Sequence, residues 1–357
     1  MIMKRLKPVI CLALTIVFVS LEGCGSQQQA PWQAAASRFL TNYELRDGRV
    51  VRLDQGGGTV SEGQAYGMLL AEVAGDYGAF HRIWGWTRDH LQLADGLFSF
   101  QTDGAGKVTG QNAASDADLL IAWALLRYNG PGAAVIHQDG RRVARAILAH
   151  EVVSDSGRVL TLTAGPWATV SPFAIDPSYW SLPAMQSLAR LTGRAKWHRL
   201  AADSVNVAAK LSRGGSLLPP NWAELGPGLA VRPSPGGYPP QIQYGPDAQR
   251  TVVWFAVSCD PRARLLAKQW WKLLRSRLRS QALTLSLNGD VMDPTRTAMS
   301  LIASAAAAKA AGNDAASARL LRRGLALQRA SPTYYGGAWV ALGLTMLTGN
   351  GLGACTS

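Results

Sequence analysis

Apolar residues recur at the three-to-four-residue spacing of an amphipathic helix along most of the chain, and the strict alternation of a half-buried strand is scarce. The pattern predicts twelve helices, at residues 32–43, 63–74, 79–91, 115–128, 141–152, 178–191, 195–211, 248–257, 262–279, 295–311, 315–329 and 332–347. They tend to differ in kind from one to the next. The segment 115–128 is apolar on nearly every side, as a fully buried helix requires, whereas 141–152 keeps Arg142 and Arg145 on an outer face. The alanine-rich 295–311 is likewise followed by 315–329, which carries Arg319, Arg322, Arg323 and Arg329. Alternation of enclosed and half-exposed helices predicts an all-α fold with an inner and an outer ring. A helical solenoid would need self-similar repeats at a fixed period, and the chain has none.

Two long loops interrupt the series, at 95–112 and 212–243, the second rich in proline and glycine. Long loops inside a compact domain usually carry function, so these are expected to border a substrate groove. No linker divides the helical region, which reads as one domain over residues 31–350. The composition fits that reading: 48% hydrophobic and 17% charged residues among 357 describe a globular chain and exclude a disordered one.

The amino terminus reads differently. Lys4, Arg5 and Lys7 precede an apolar run from Pro8 to Val19 that is short for a bilayer span. Residues 1–23 are therefore expected to be an export signal, with 24–30 a short linker. Leu21-Glu22-Gly23-Cys24 resembles a lipoprotein cleavage box, so lipidation at Cys24 and ordinary signal cleavage nearby both stand open. Lipidation would place the protein at the outer membrane; ordinary cleavage would leave it periplasmic or secreted.

The formal charge of +13 becomes +11 once the residues before Cys24 are removed. An exported basic protein can meet anionic lipid or acidic polysaccharide. The cations between Arg262 and Arg279 read first as a solvated helix face. Nucleic acid is not expected as a partner, because no zinc-finger spacing or nucleic-acid module motif is present. Of the four cysteines, Cys259 and Cys355 remain after Cys11 and Cys24 are assigned to the signal and its cleavage site, and their spacing fits no metal site.

Three acidic contexts stand out. Glu62 follows Gly56-Gly57-Gly58-Thr59-Val60-Ser61, a glycine-rich loop running into a helix. Asp116 and Asp118 open the most apolar helix, after Ser115. Asp247 follows the long proline-rich loop, with Arg250 three residues on and on the same helical face. Each has an ordinary explanation in helix capping or the helix dipole. Each also suits chemistry: a carboxylate beside an arginine is held ionised, as a general base must be.

The motifs around these acids resemble glycoside hydrolase family 8. Ser61-Glu62-Gly63-Gln64-Ala65-Tyr66-Gly67-Met68 is similar to that family's acid motif, Ala114-Ser115-Asp116-Ala117-Asp118 to its signature segment, and Asp247-Ala248-Gln249-Arg250 to its base motif. Asp176-Pro177-Ser178-Tyr179, Leu218-Pro219-Pro220-Asn221-Trp222 and Tyr334-Tyr335 are weaker echoes, and the six run in order over nearly the whole chain. The resemblance implies an (α/α)6 barrel of six inner and six outer helices. It implies inverting hydrolysis of a β-1,4-glycan with Glu62 as acid, Asp247 as base and Asp116 bound to the distorted sugar. Tyr179 and Arg250 would line that subsite, with Tyr66 and Tyr335 in the same motifs. No metal or organic cofactor is implied.

Sugar rings need aromatic platforms, and the chain has 12 tryptophans. Trp180 and Trp222 are the preferred candidates, with Phe100 where relatives often carry a tryptophan. Pro246 stands where the family often has a tyrosine before the base, and Arg127-Tyr128 where small residues are expected. Within the family, the acid motif and export signal look like those of cellulases encoded beside bacterial cellulose synthases. The implied substrate is a β-1,4-glucan, acted on by a monomer beside the cellulose synthase and export machinery. The other readings are a glycan-binding component with little or no activity, a xylanase, or a chitosanase, whose cationic substrate a +11 protein would repel.

Overall fold

The computed structural model describes residues 29–349 and 352, apart from 156, 158 and 237–239. The expected export signal, Cys24 and Cys355 lie outside the described residues. Among those described there are twelve α-helices: α1 Pro31–Tyr43, α2 Ser61–Ala74, α3 Tyr77–Leu91, α4 Ser115–Arg127, α5 Ala133–His150, α6 Leu182–Thr192, α7 Ala195–Leu211, α8 Pro246–Ala256, α9 Pro261–Leu274, α10 Ala298–Ala310, α11 Asp314–Ala330 and α12 Tyr334–Thr348.

The even-numbered helices form a closed inner ring. α2 packs on α4, α4 on α6, α6 on α8, α8 on α10, α10 on α12, and α12 returns to α2. The odd-numbered helices pack outside them, so the chain is an (α/α)6 barrel. The alternation in composition is the cause. α4 buries every residue from Ser115 to Leu126, and α10 every residue from Ala298 to Ala308. An outer helix such as α9 buries only Ala263, Leu266, Ala267, Trp270 and Leu274, one stripe at helical spacing.

The connections are unequal in a way that places the site. Each inner helix runs into the next outer one through a short turn, such as Gly75-Asp76 after α2. The connections that enter inner helices α4, α6, α8 and α10 are long, and four small antiparallel sheets sit on them: β1 Ser99–Thr102 with β2 Val108–Ala113, β3 Val152–Asp155 with β4 Val159–Leu162, β5 Phe173–Ile175 with β6 Trp222–Gly226 and β7 Ala230–Ser234, and β8 Ala282–Leu285 with β9 Val291–Arg296. All the bulk beyond the helices therefore gathers around the amino-terminal ends of the inner ring.

Several boundaries differ from expectation. The segments 95–112 and 212–243 are not structureless, because each holds paired strands. α5 begins at Ala133, eight residues before the expected start at 141. Gly140 inside it is a packing contact, since a β-carbon there would lie 2.8 Å from the Leu126 side chain. α9 stops at Leu274, so Arg275, Arg277 and Arg279 lie beyond the helix. α6 starts at Leu182 and α10 at Ala298, after a single helical turn and a strand respectively. Cys259 is held in a disulfide whose partner lies outside the described residues.

Candidate active site

None of the three acids singled out by context caps its helix. The cap positions are Val60, Ala114 and Gly245, and none contributes a side-chain cap. Glu62, Asp116 and Asp247 each occupy the second residue of an inner helix instead, and Tyr335 holds the same place in α12, behind the Thr333 cap. Four inner helices thus present equivalent positions toward one end of the barrel. The positive ends of their dipoles converge there, which favours carboxylates.

Arg250 is the centre of the cluster. Its side chain is 3% exposed and reaches all three acids: Nη1 lies 2.7 Å from Asp116 Oδ2 and 3.4 Å from Glu62 Oε2, and Nη2 lies 3.4 Å from Asp247 Oδ1. Nη1 also donates to the Tyr66 hydroxyl at 3.4 Å and Nη2 to Ser178 Oγ at 2.7 Å. The Tyr179 ring covers the guanidinium, its centroid 5.3 Å from Cζ. A planar cation with several fixed donors suits this task, and lysine could not make the same set of contacts.

Electrostatics separates the two outer acids. Burial raises the Glu62 pKa to about 7; Arg250 opposes the shift, Asp116 adds to it, and the Tyr66 hydroxyl opposes it. Burial also raises Asp247, against the pull of Arg250. The expectation that Arg250 holds Asp247 below the ordinary carboxylate range is therefore corrected in direction: the attraction is present, but desolvation exceeds it. The Asp247 side chain is 39% exposed against 24% for Glu62, so water solvates its charge better. Since both acids touch one guanidinium, their nearest oxygens lie within about 9 Å of each other. That ceiling admits the roughly 6.5–9.5 Å separation of an inverting pair.

The loop before Asp247 is fixed by a residue to which the motif reading assigned no role. Asn221 is 6% exposed, and its Oδ1 accepts from the backbone N–H of Gly245 at 2.7 Å and of Ala248 at 3.1 Å. It ties down both sides of the base. Pro246 leaves no phenol before Asp247, but the Tyr335 hydroxyl donates to the Pro246 carbonyl at 3.2 Å and brings one from α12.

Not every aromatic expectation holds. Trp180 is fully buried, with its indole N–H donating to the Leu162 carbonyl at 3.0 Å, so it packs the core and offers no platform. Tyr66 is also fully buried; it supports Arg250 and Glu62 from behind and cannot touch a sugar face. Trp222 is half-buried, 6.1 Å from Tyr179 and 6.4 Å from Trp167 between ring centroids. Trp167, half exposed, continues this file outward and was missed in the sequence, where nothing separates it from a core tryptophan. Phe100 is 38% exposed on β1, with its ring over Gly110 of the neighbouring strand, where any side chain would collide with it. The unexpected Arg127 pairs with Glu72 of the neighbouring inner helix α2 at 3.2 Å and covers the Trp123 ring.

Asp247 lines a cavity of about 470 Å³ together with Tyr335, Met299, Leu283 and Arg296. Asp247 thus borders a cavity, and Tyr179 over Arg250 begins an aromatic file. Among the described residues no group of His, Cys, Asp and Glu is placed to hold a metal ion, and no helix is long and apolar enough to cross a membrane.

Comparison with known proteins agrees with this geometry. The family model for glycosyl hydrolases family 8 matches residues 6–349. The chain belongs to glycosyl hydrolase family 8. It is 32% identical over 233 residues to a probable endoglucanase of Novacetimonas hansenii, a match covering 61% of this chain and 64% of that protein. It is 30% identical over 250 residues to an endoglucanase of Cellulomonas uda, covering 67% of each. The matched stretch thus spans about two thirds of these relatives' own length. The structure of the endo-β-1,4-glucanase CMCax from Acetobacter xylinum superposes with a TM-score of 0.72 at 25% identity, over 87% of this chain and 96% of that one.

Proposed function

We propose that this protein is an inverting endo-β-1,4-glucanase with cellulose as its substrate. The observation that carries the reading is Arg250 set among three carboxyls, with Glu62 raised to about 7 and Asp247 more open to water. Protonated Glu62 gives its proton to the glycosidic oxygen as the bond to the anomeric carbon breaks. Asp247 takes a proton from the water that attacks the opposite face, so the configuration inverts. Asp116, fixed by Arg250, is placed to accept from a hydroxyl of the sugar at the point of cleavage. The open cavity beside Asp247 supports attack inside a chain instead of at its end. The aromatic file Tyr179–Trp222–Trp167 supplies stacking faces on one side. The names of the family relatives support glucan over xylan and chitosan.

We further propose that the enzyme acts outside the cytoplasm, trimming cellulose as it is exported. The signal-like residues 1–23 support this, and Cys24 is the candidate site of a lipid anchor. Fatty-acid labelling that persists in Cys24→Ala would exclude Cys24 as the anchor site, and no labelling of the wild type would exclude the anchor.

The test of the activity is release of reducing ends from carboxymethylcellulose, xylan and chitosan, with Asp247→Asn alongside. Release from carboxymethylcellulose alone, lost in the variant, is the expected result. Binding of cello-oligosaccharide without product at high enzyme concentration would replace the hydrolase with a glycan-binding protein.

A further inference from the structure

On the flank of the barrel, between the end of α9 and the face of α11, lies a cavity of about 370 Å³. Arg275, Arg277, Arg319 and Arg323 line it over Trp271 and Leu320, and no carboxylate does. Several arginines elsewhere on the surface have an acid beside them, as in Arg49–Asp47, Arg82–Glu44, Arg142–Asp139, Arg232–Glu224 and Arg262–Asp260; the cleft gathers four with none in its lining. In the cavity Arg323 Nη2 donates to Gln281 Oε1, which orients that guanidinium, and Ser280 Oγ donates to the Arg277 carbonyl at 3.2 Å. The sequence shows two separate basic stretches; only the fold places them in one concavity. α9 and α11 both pack on α10, and α9 ends early enough for Arg275 and Arg277 to turn off the helix toward α11.

We propose that this cleft binds a phosphate-bearing anion. Gathered guanidinium groups repel one another until an anion enters, and their planar donor forks match phosphate oxygens in a bidentate manner. The half-buried Trp271 and buried Leu320 give the anion a floor that water hydrates poorly. Leu278 stands in the chain between Arg277 and Arg279 with 64% of its surface exposed, so an apolar side chain flanks the cations, as it would at a lipid headgroup layer. Two sources share the chemistry: a soluble phosphate and the phosphodiester of an anionic lipid.

The experiment uses the mature chain and two probes. Inorganic phosphate is titrated by calorimetry, and phosphatidylcholine vesicles with and without phosphatidylglycerol are sedimented with the protein. The cleft variant is R275Q/R277Q/R319Q, and the control R141Q/R142Q/R145Q removes the same charge from α5. Thermal midpoints report that each variant is folded. Wild type and control are expected to bind at least one probe, and the cleft variant about tenfold more weakly or worse. Phosphate binding alone identifies a soluble ligand; added recruitment to phosphatidylglycerol identifies the lipid. Failure of the wild type to bind either probe overturns the proposal, as does an equal loss in the α5 control, which would reduce the effect to net charge. The glucanase reading survives either result.

Discussion

Asp116 and Asp118 lie two positions apart at the start of α4, and both are buried, at 4% and 0% exposure. Asp116 meets Arg250 at 2.7 Å. Asp118 accepts from the Phe98 N–H at 2.9 Å and faces Glu151, itself fully buried, with no ion pair to it among the described residues. Burial drives both members of the second pair well above the ordinary carboxylate range, and Asp118 beside Glu151 raises it further as a like charge. Two acids on one helical turn thus serve opposite ends. One anchors a cation that organises the reaction. The other pins the lead-in to β1, in surroundings that disfavour its charge. A carboxyl takes its role from what the tertiary fold sets against it.

The sharpest test removes the acid that burial has tuned. Glu62→Gln is expected to lower kcat on carboxymethylcellulose by about 10²–10⁴-fold, the usual worth of a general acid. In the wild type, kcat is expected to fall as pH rises through about 7, where Glu62 loses its proton. The same shift acts on stability. A carboxyl raised on folding favours the fold fully below its unfolded pKa and loses that contribution as pH climbs through the folded value. Glu62→Gln should therefore melt above the wild type at alkaline pH while being far less active. Equal melting curves at every pH would contradict the burial of that charge.

Arg250→Met breaks the other side of the comparison. It strands Asp116 as a buried charge without a partner, and the expected cost is roughly 3–5 kcal/mol in denaturant unfolding, together with loss of activity. Arg250→Lys restores the charge without the fork, and is expected to recover stability in part and little turnover.

Asn221→Ala tests whether the base depends on its tether. The loss of two backbone hydrogen bonds is expected to lower kcat about tenfold, with KM little changed and stability lower by about 1–2 kcal/mol. A wild-type kcat would remove Asn221 from the positioning of Asp247. The smallest effect is expected at the buried pair Asp118 and Glu151. Glu151→Gln keeps an N–H for Asp118, so activity should be unchanged and the fall in melting temperature from acid to alkaline pH shallower than in the wild type. A parallel fall would mean the pair does not carry that dependence.

Much of this molecule was determined by the sequence itself. The spacing of apolar residues specifies twelve helices, and the contrast between the fully apolar 115–128 and the one-striped 262–279 specifies which are enclosed, because burial is encoded residue by residue. The order of the acid-bearing motifs specified the family and the three carboxyls. The tertiary structure decided what no local pattern carries. It placed Glu62, Asp116, Asp247 and Tyr335 at the same position of four separate helices, and set Arg250 between acids 188, 134 and 3 residues away in the chain. It buried Trp180 and left Trp167 half exposed, though both are tryptophans beside short helical turns. It also set Glu151 against Asp118 and joined Arg275 to Arg319. Periodicity is read along the chain, where neighbours are fixed by covalent geometry. Charge state, exposure and the company of a side chain depend on groups far away in sequence, and only packing brings those together.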